Sequence, residues 1–250
     1  REEDVDRPTD DAGSWTAQAA DLLDRVRSRA PQVHVLTSTV AQPISANLLL
    51  AVGAQPSMSA APGEIEAFAA RTHALVANLG MLDEARRAAL MRALPVVTGR
   101  GVPWVLDPVK VERSPERLAF ARELLAFAPA AVRANSAEMD ALTPPPGQVR
   151  ATTGEVYLVE EDGRKRRIGG GDPLMTHVTA MGCAGTGLVA AFLAVEPDAF
   201  AATVAVLACL KVAGEIAGEE ARGPGSFTAA FLDALYGLDA AHLAARSKLA

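Results

Sequence analysis

The chain has 250 residues, 50% of them hydrophobic and 22% charged, a balance that supports a packed core and excludes a disordered or fibrous polymer. A formal charge of -6 and an aromatic content of 4% exclude the positive field and the stacking surface that nucleic acid or anionic lipid would require. Two cysteines, Cys183 and Cys209, exclude a disulfide framework and are too few for a structural zinc site.

In chain order, Arg1 to Asp11 is charged and has no apolar run of the secretory kind, so residues 1–14 read as a flexible leader and a cytoplasmic location is expected. One domain is expected over 15–250. A helix from about Trp15 to Arg29 follows from Leu22, Leu23 and Val26 at helical spacing, with Asp10, Asp11 and Ser14 as cap candidates. The period then changes. Short apolar or β-branched runs recur at Val33 to Leu36, Ala74 to Leu79, Trp104 to Leu106 and Ala130 to Arg133. Between them lie helical stretches at Ala41 to Val52, Asp83 to Leu94, Ser114 to Phe127 and Ser136 to Leu142. This alternation predicts a three-layer α/β/α sandwich around a mainly parallel sheet.

Pro144, Pro145, Pro146 and Gly147 must break the helix before them. Gln148 to Val159 then runs extended, and Glu161, Asp162 and Gly163 predict a turn that pairs Val156 to Val159 with Lys165 to Ile168 as an antiparallel edge. The last third is helical at Cys183 to Val195, Ala199 to Gly218 and Phe227 to Leu235. The strongly apolar stretches Leu188 to Val195 and Ala199 to Leu210 are each shorter than the roughly 20 residues that span a bilayer, and read as buried helices.

Open α/β sheets bind ligands beyond the carboxyl ends of their strands, and polar residues collect there. Thr37, Ser38 and Thr39 follow the first strand, Asn78 the second and Asp107 the third; Asn135 and Glu138 follow the fourth, and Thr152 and Thr153 the fifth. Taken singly, each reads equally as a helix cap or loop residue. The run Val178 to Gly187 carries Gly182, Gly185 and Gly187 into an apolar helix, a helix start whose unpaired amides suit an anion. It is neither a Walker loop nor a dinucleotide fingerprint. Cys183 lies in the first turn, where the helix dipole lowers a thiol's pKa, so it is either a proton acceptor or a small packed residue. Asn135 and Glu138, one turn apart, either hold magnesium-bound water and phosphate oxygens or cap a helix.

These segments in this order resemble the hydroxyethylthiazole kinase family, within the ribokinase-like fold, from about Leu22 to Leu238. The stretch from His34 through Thr37 and Asn47 to Met58 resembles the family's substrate-binding opening, Trp104 to Val109 its Asp-Pro-Val segment, Arg133-Ala-Asn135 its Arg-Gly-Asn, and Thr153-Gly-Glu155 its Thr-Gly-Glu. The resemblance implies that Cys183 is the catalytic residue, that Arg133, Asn135, Thr153 and Gly182 bind ATP, that Met58, Ser38 and Ala180 bind the alcohol, and that Glu138 and Asp107 hold Mg2+. It further implies transfer of the ATP γ-phosphoryl group to 4-methyl-5-(2-hydroxyethyl)thiazole in thiamine salvage, by a homotrimer with sites between subunits. Ser38, Ala180 and Met181 depart from the family's residues, so a kinase of another small alcohol, or a non-catalytic ligand-binding relative, is the alternative.

Overall fold

The computed structural model describes residues 12–250. Its first helix, α1 (Ala12–Arg29), places Ser14 inside the helix rather than at its cap, while Asp10, Asp11 and most of the expected leader lie outside the described residues. Eight strands then form one sheet in the order β2-β1-β3-β4-β5-β6-β7-β8. They are β1 (Gln32–Leu36), β2 (Gln55–Ser57), β3 (Ala74–Asn78), β4 (Trp104–Asp107), β5 (Ala131–Asn135), β6 (Val149–Thr153), β7 (Tyr157–Glu161) and β8 (Arg164–Ile168). All pairings from β2 to β6 are parallel; β7 and β8 add the expected antiparallel edge.

The parallel strands are joined by α2 (Gln42–Ala51), α3 (Ile65–Ala69), α4 (Glu84–Gly99), α5 (Pro115–Leu125) and α6 (Ser136–Leu142). The caps explain where these helices start: Asp83 accepts the Arg86 amide, Ser114 the Arg117 amide and Asn135 the Glu138 amide. After the sheet come α7 (Met181–Leu193), α8 (Ala199–Glu220), α9 (Pro224–Gly237) and α10 (Ala240–Arg246).

Both faces of the sheet are covered, which is why β3 and β4 read as continuous apolar runs. Alternate side chains supply two cores. Val33, Val35, Val76 and Val105 pack with α1, α2, α7, α8 and α9, while Leu36, Leu75, Trp104 and Leu106 pack with α3, α4, α5 and α6. The helix α8 is long and apolar enough to cross a membrane by length and composition, in contrast to the short stretch expected there. Most of it is buried against α7, α9 and the sheet, as a core helix is.

Several elements had no sequence signal. β2 is Gln55-Pro56-Ser57, without apolar alternation, and exists because it pairs along the edge of β1. Edge placement also tolerates the missing N–H of Pro56. Helices α3 and α10 and the 3-10 turns at Val111–Arg113 and Pro173–His177 are too short to show a period. The β7–β8 turn narrows to Asp162 and Gly163, both at positive φ (39° and 84°), the backbone that a two-residue hairpin turn demands.

Phe231 in α9 is fully buried and stacks on Phe227 at 5.7 Å. Phe231→Ala is expected to cost about 3 to 5 kcal/mol, read as a lower urea midpoint at unchanged slope.

Candidate active site

The strand order places the reversal of winding between β1 and β3, since β1 leads outward to β2 and the chain returns on its other side as β3. The crevice above such a point is where open α/β sheets take ligands. Helix α7 begins beyond the ends of β4 and β5, where Arg133 reaches the Gly182 carbonyl and Thr186 reaches Asp107, and along its length it packs against β1, β3 and β4. Its entry residue, Ala180, sits in the left-handed region (φ 61°), which turns the chain sharply and leaves the amides of the first helical turn without intrahelical acceptors.

Cys183, Ala180, Gly182, Arg133, Asn135 and Thr153 line one cavity of about 420 Å³. The structure thus brings together six residues scattered over fifty positions of sequence. Arg133, buried on β5, donates from Nη1 to the Gly182 carbonyl at 2.5 Å and approaches Thr186 Oγ1 at 3.4 Å, while its Nε is buried without a partner. Gly185 makes room for it: a Cβ there would stand 3.2 Å from Arg133 Nη2. Thr153 Oγ1 donates to the Ala134 carbonyl at 3.3 Å, holding the end of β6 against β5.

Beneath this cavity lie two buried carboxylates. Asp107 Oδ2 accepts from Asn78 Nδ2 and from Thr186 Oγ1, each at 2.8 Å. Glu138 spends one oxygen on the Asn135 amide (2.9 Å) and the other on the Lys110 amide (2.8 Å), while Asn135 Oδ1 accepts the Glu138 amide in return. That reciprocal pair is a capping box, so the cap reading of Asn135 and Glu138 is realised in full. Burial raises the pKa of Asp107 and the Glu138 charge adds to this; Arg133 and the two hydrogen bonds oppose it.

Among the described residues no three His, Cys, Asp or Glu side chains converge on one metal position. Mg2+ retains several waters and binds through one or two carboxylates, so a pair of buried oxygen donors with excess negative charge fits it through water. Asp107 and Glu138 are the buried pair that could hold it.

The thiol behaves otherwise than its helix position implies. Burial pushes Cys183 up to about 11, and the Asp107 carboxylate adds to the rise; a hydrogen bond with Asn78 and the Arg133 charge pull the other way. Desolvation and the neighbouring anion outweigh the hydrogen bond and the Arg133 charge. Cys209 is buried in α8, as core.

Two expected site residues stand apart. Ser38 lines a separate cavity of about 230 Å³ above β1 and β3, and Met58, half-buried just after β2, packs on the apolar core. Sequence reading flagged Asn78 only as a polar strand end, and missed Thr186. Its signal was spacing: four residues after Gly182, it shares that helix face and reaches Asp107.

The chain matches the hydroxyethylthiazole kinase family over residues 23–151 and 145–241. It is 45% identical to a probable hydroxyethylthiazole kinase of Agrobacterium fabrum, across 88% of this chain and 89% of that one. The solved hydroxyethylthiazole kinase of Pyrococcus horikoshii superposes with a TM-score of 0.89 at 31% identity, across 93% of this chain and 98% of that one. A ribokinase-like superfamily protein of Enterococcus faecalis shares the fold, with a TM-score of 0.57 at 13% identity, across 92% and 90% of the two chains. With the ribokinase-like sheet, the cavity at the start of α7 and these matches together, the chain belongs to the hydroxyethylthiazole kinase family.

Proposed function

We propose that this protein transfers the γ-phosphoryl group of ATP to the primary hydroxyl of 4-methyl-5-(2-hydroxyethyl)thiazole, a salvage step toward thiamine in the cytoplasm. The kinase unit takes in the whole of α1 and continues through residue 250. The observation that carries the reading is the single cavity in which Arg133, the first-turn amides of α7 and Cys183 face one another, in a chain of this family.

Phosphoryl transfer asks the protein for positioning and for stabilisation of spread charge. The α7 amides and Arg133, whose Nε has no protein partner, supply fixed positive ends toward the phosphates. Thr153 and Asn135 line the nucleotide side of the cavity. Asp107 and Glu138 would hold Mg2+ through water; when bound, the ion neutralises charge on the β- and γ-phosphate oxygens. Cys183, a protonated thiol at neutral pH, orients the alcohol, and the hydroxyl proton passes to an oxygen of the transferred phosphoryl group as the bond to phosphorus forms. The chain from Thr186 and Asn78 to Asp107 fixes the floor on which that thiol stands.

The proposed assembly is a homotrimer with sites completed between subunits. Two features support it: Met58 and Ser38 do not share the Cys183 cavity within one chain, and Val40, Leu50 and Tyr236 leave large apolar surface exposed before and along α2 and on its neighbour α9. Light scattering is expected to return three times the chain mass; a monomer mass removes this part of the proposal.

Purified protein with ATP, magnesium and the thiazole alcohol is expected to release ADP. Cys183→Ala should lower kcat by roughly 10²-fold while leaving nucleotide binding by calorimetry unchanged. The thiol makes a separate prediction: the rate of Cys183 alkylation by iodoacetamide, followed by mass spectrometry, should climb with pH toward a midpoint of about 11. A midpoint below the ordinary thiol value would show that the helix dipole prevails after all.

A further inference from the structure

A buried ammonium, that of Lys211 in the middle of α8, takes no part in the chemistry described above. We propose that Lys211 is a positioning residue for the nucleotide: it holds the turn between β6 and β7, Gly154 to Val156, in the shape that the nucleotide meets; this rests on the kinase reading above.

Lys211 Nζ donates to the Glu155 carbonyl at 2.6 Å, approaches the Gly154 carbonyl at 3.5 Å and stands 4.0 Å from the centre of the Tyr157 ring. Two carbonyl dipoles and a ring face thus take the place of a carboxylate, and none pairs with it among the described residues. Burial lowers the pKa of the ammonium, and the Glu155 charge opposes this. The ammonium is therefore directed at the protein itself and not at a phosphate.

The turn it holds is a wall of two cavities. Gly154 and Tyr157 line both the cavity of Cys183 and an adjoining one of about 550 Å³, which Lys211, Gly171 and Met175 also line. The segment that follows β8 closes on the Lys211 stem because residue 171 is glycine: a Cβ there would stand 2.9 Å from Lys211 Cδ, and its φ of 83° lies in the left-handed region. Among the described residues no other donor reaches the Gly154 and Glu155 carbonyls, so Lys211 supplies the hydrogen bonds that fix the turn beyond Thr153. A loop that is free before binding must be ordered on binding, at a cost in affinity, and a turn already fixed avoids that cost. The loss of Lys211 is therefore read in ATP binding and not in the transfer step at Cys183.

The test compares the wild-type protein, Lys211→Met and Lys211→Ala by calorimetric titration of a non-hydrolysable ATP analogue and by ADP release with the thiazole alcohol. In Lys211→Met, which keeps the stem and removes the charge, the Kd of the analogue and the KM for ATP are expected to rise about tenfold, as for a lost charged hydrogen bond, while kcat and the KM for the alcohol stay within about twofold. Added n-propylammonium, the part of the side chain that Lys211→Ala lacks, should restore ATP affinity to that variant and leave Lys211→Met unchanged. Unchanged affinity in Lys211→Met overturns the proposal, as does a loss shared by kcat, or a folded Lys211→Ala that n-propylammonium does not rescue. The wild-type protein alone also decides it, whatever the stability of the variants: NMR order parameters of the Glu155 and Val156 amides in the nucleotide-free protein are expected near the rigid value of about 0.85, and values below about 0.6 overturn the proposal. Binding of the analogue with no ADP release from the alcohol leaves Lys211 its role in the nucleotide site and overturns the kinase reading instead.

Discussion

The Arg133 guanidinium, buried at the carboxyl end of β5, ties the sheet to the first turn of α7 through the Gly182 carbonyl. Much of the site depends on that one bond. It orients the α7 entry, where Ala180 takes a left-handed turn and Cys183 follows three residues later. It also places a positive charge beside Asp107, which burial and Glu138 would otherwise push further toward the neutral acid. A buried ion among carboxylates is stable only while each charge keeps its hydrogen bonds, and here Asp107 keeps two and Glu138 two backbone amides.

In the proposed reaction, this network is what would let a chain with a net charge of -6 take an anionic nucleotide. The positive potential is local, made of one guanidinium and oriented amides over a low-dielectric floor, where each contributes more than it would in water. The same dryness acts against the thiol. Burial and the Asp107 charge raise the Cys183 thiol by more than the Asn78 hydrogen bond and the Arg133 charge lower it.

Local signals resolved most of the scaffold. Asp83, Ser114 and Asn135 each cap the helix that their position predicts, and the apolar runs at Ala74 and Trp104 are strands buried on both faces. Where elements were missed, the information was not local. β2 has no strand pattern and forms by pairing with Val33 and His34; α3 is shorter than two helical turns. The run of Pro95 past the expected end of α4 is likewise held by context, with Thr98 bonding the Leu94 carbonyl below it.

By itself the sequence determined the fold class, the strand-end polar residues and, through motifs in a fixed order, the family. These follow from periodicity, capping chemistry and composition, which act over a few residues or a turn of helix. Only the tertiary structure decided which of those residues meet: Arg133 with Gly182, Asn78 and Thr186 with Asp107, Ser38 with Arg86 rather than with Cys183. It also reversed the expected shift of the Cys183 thiol. Charge and desolvation depend on distance in space, and a helix start read in sequence carries no information about the buried carboxylate that β4 brings to it.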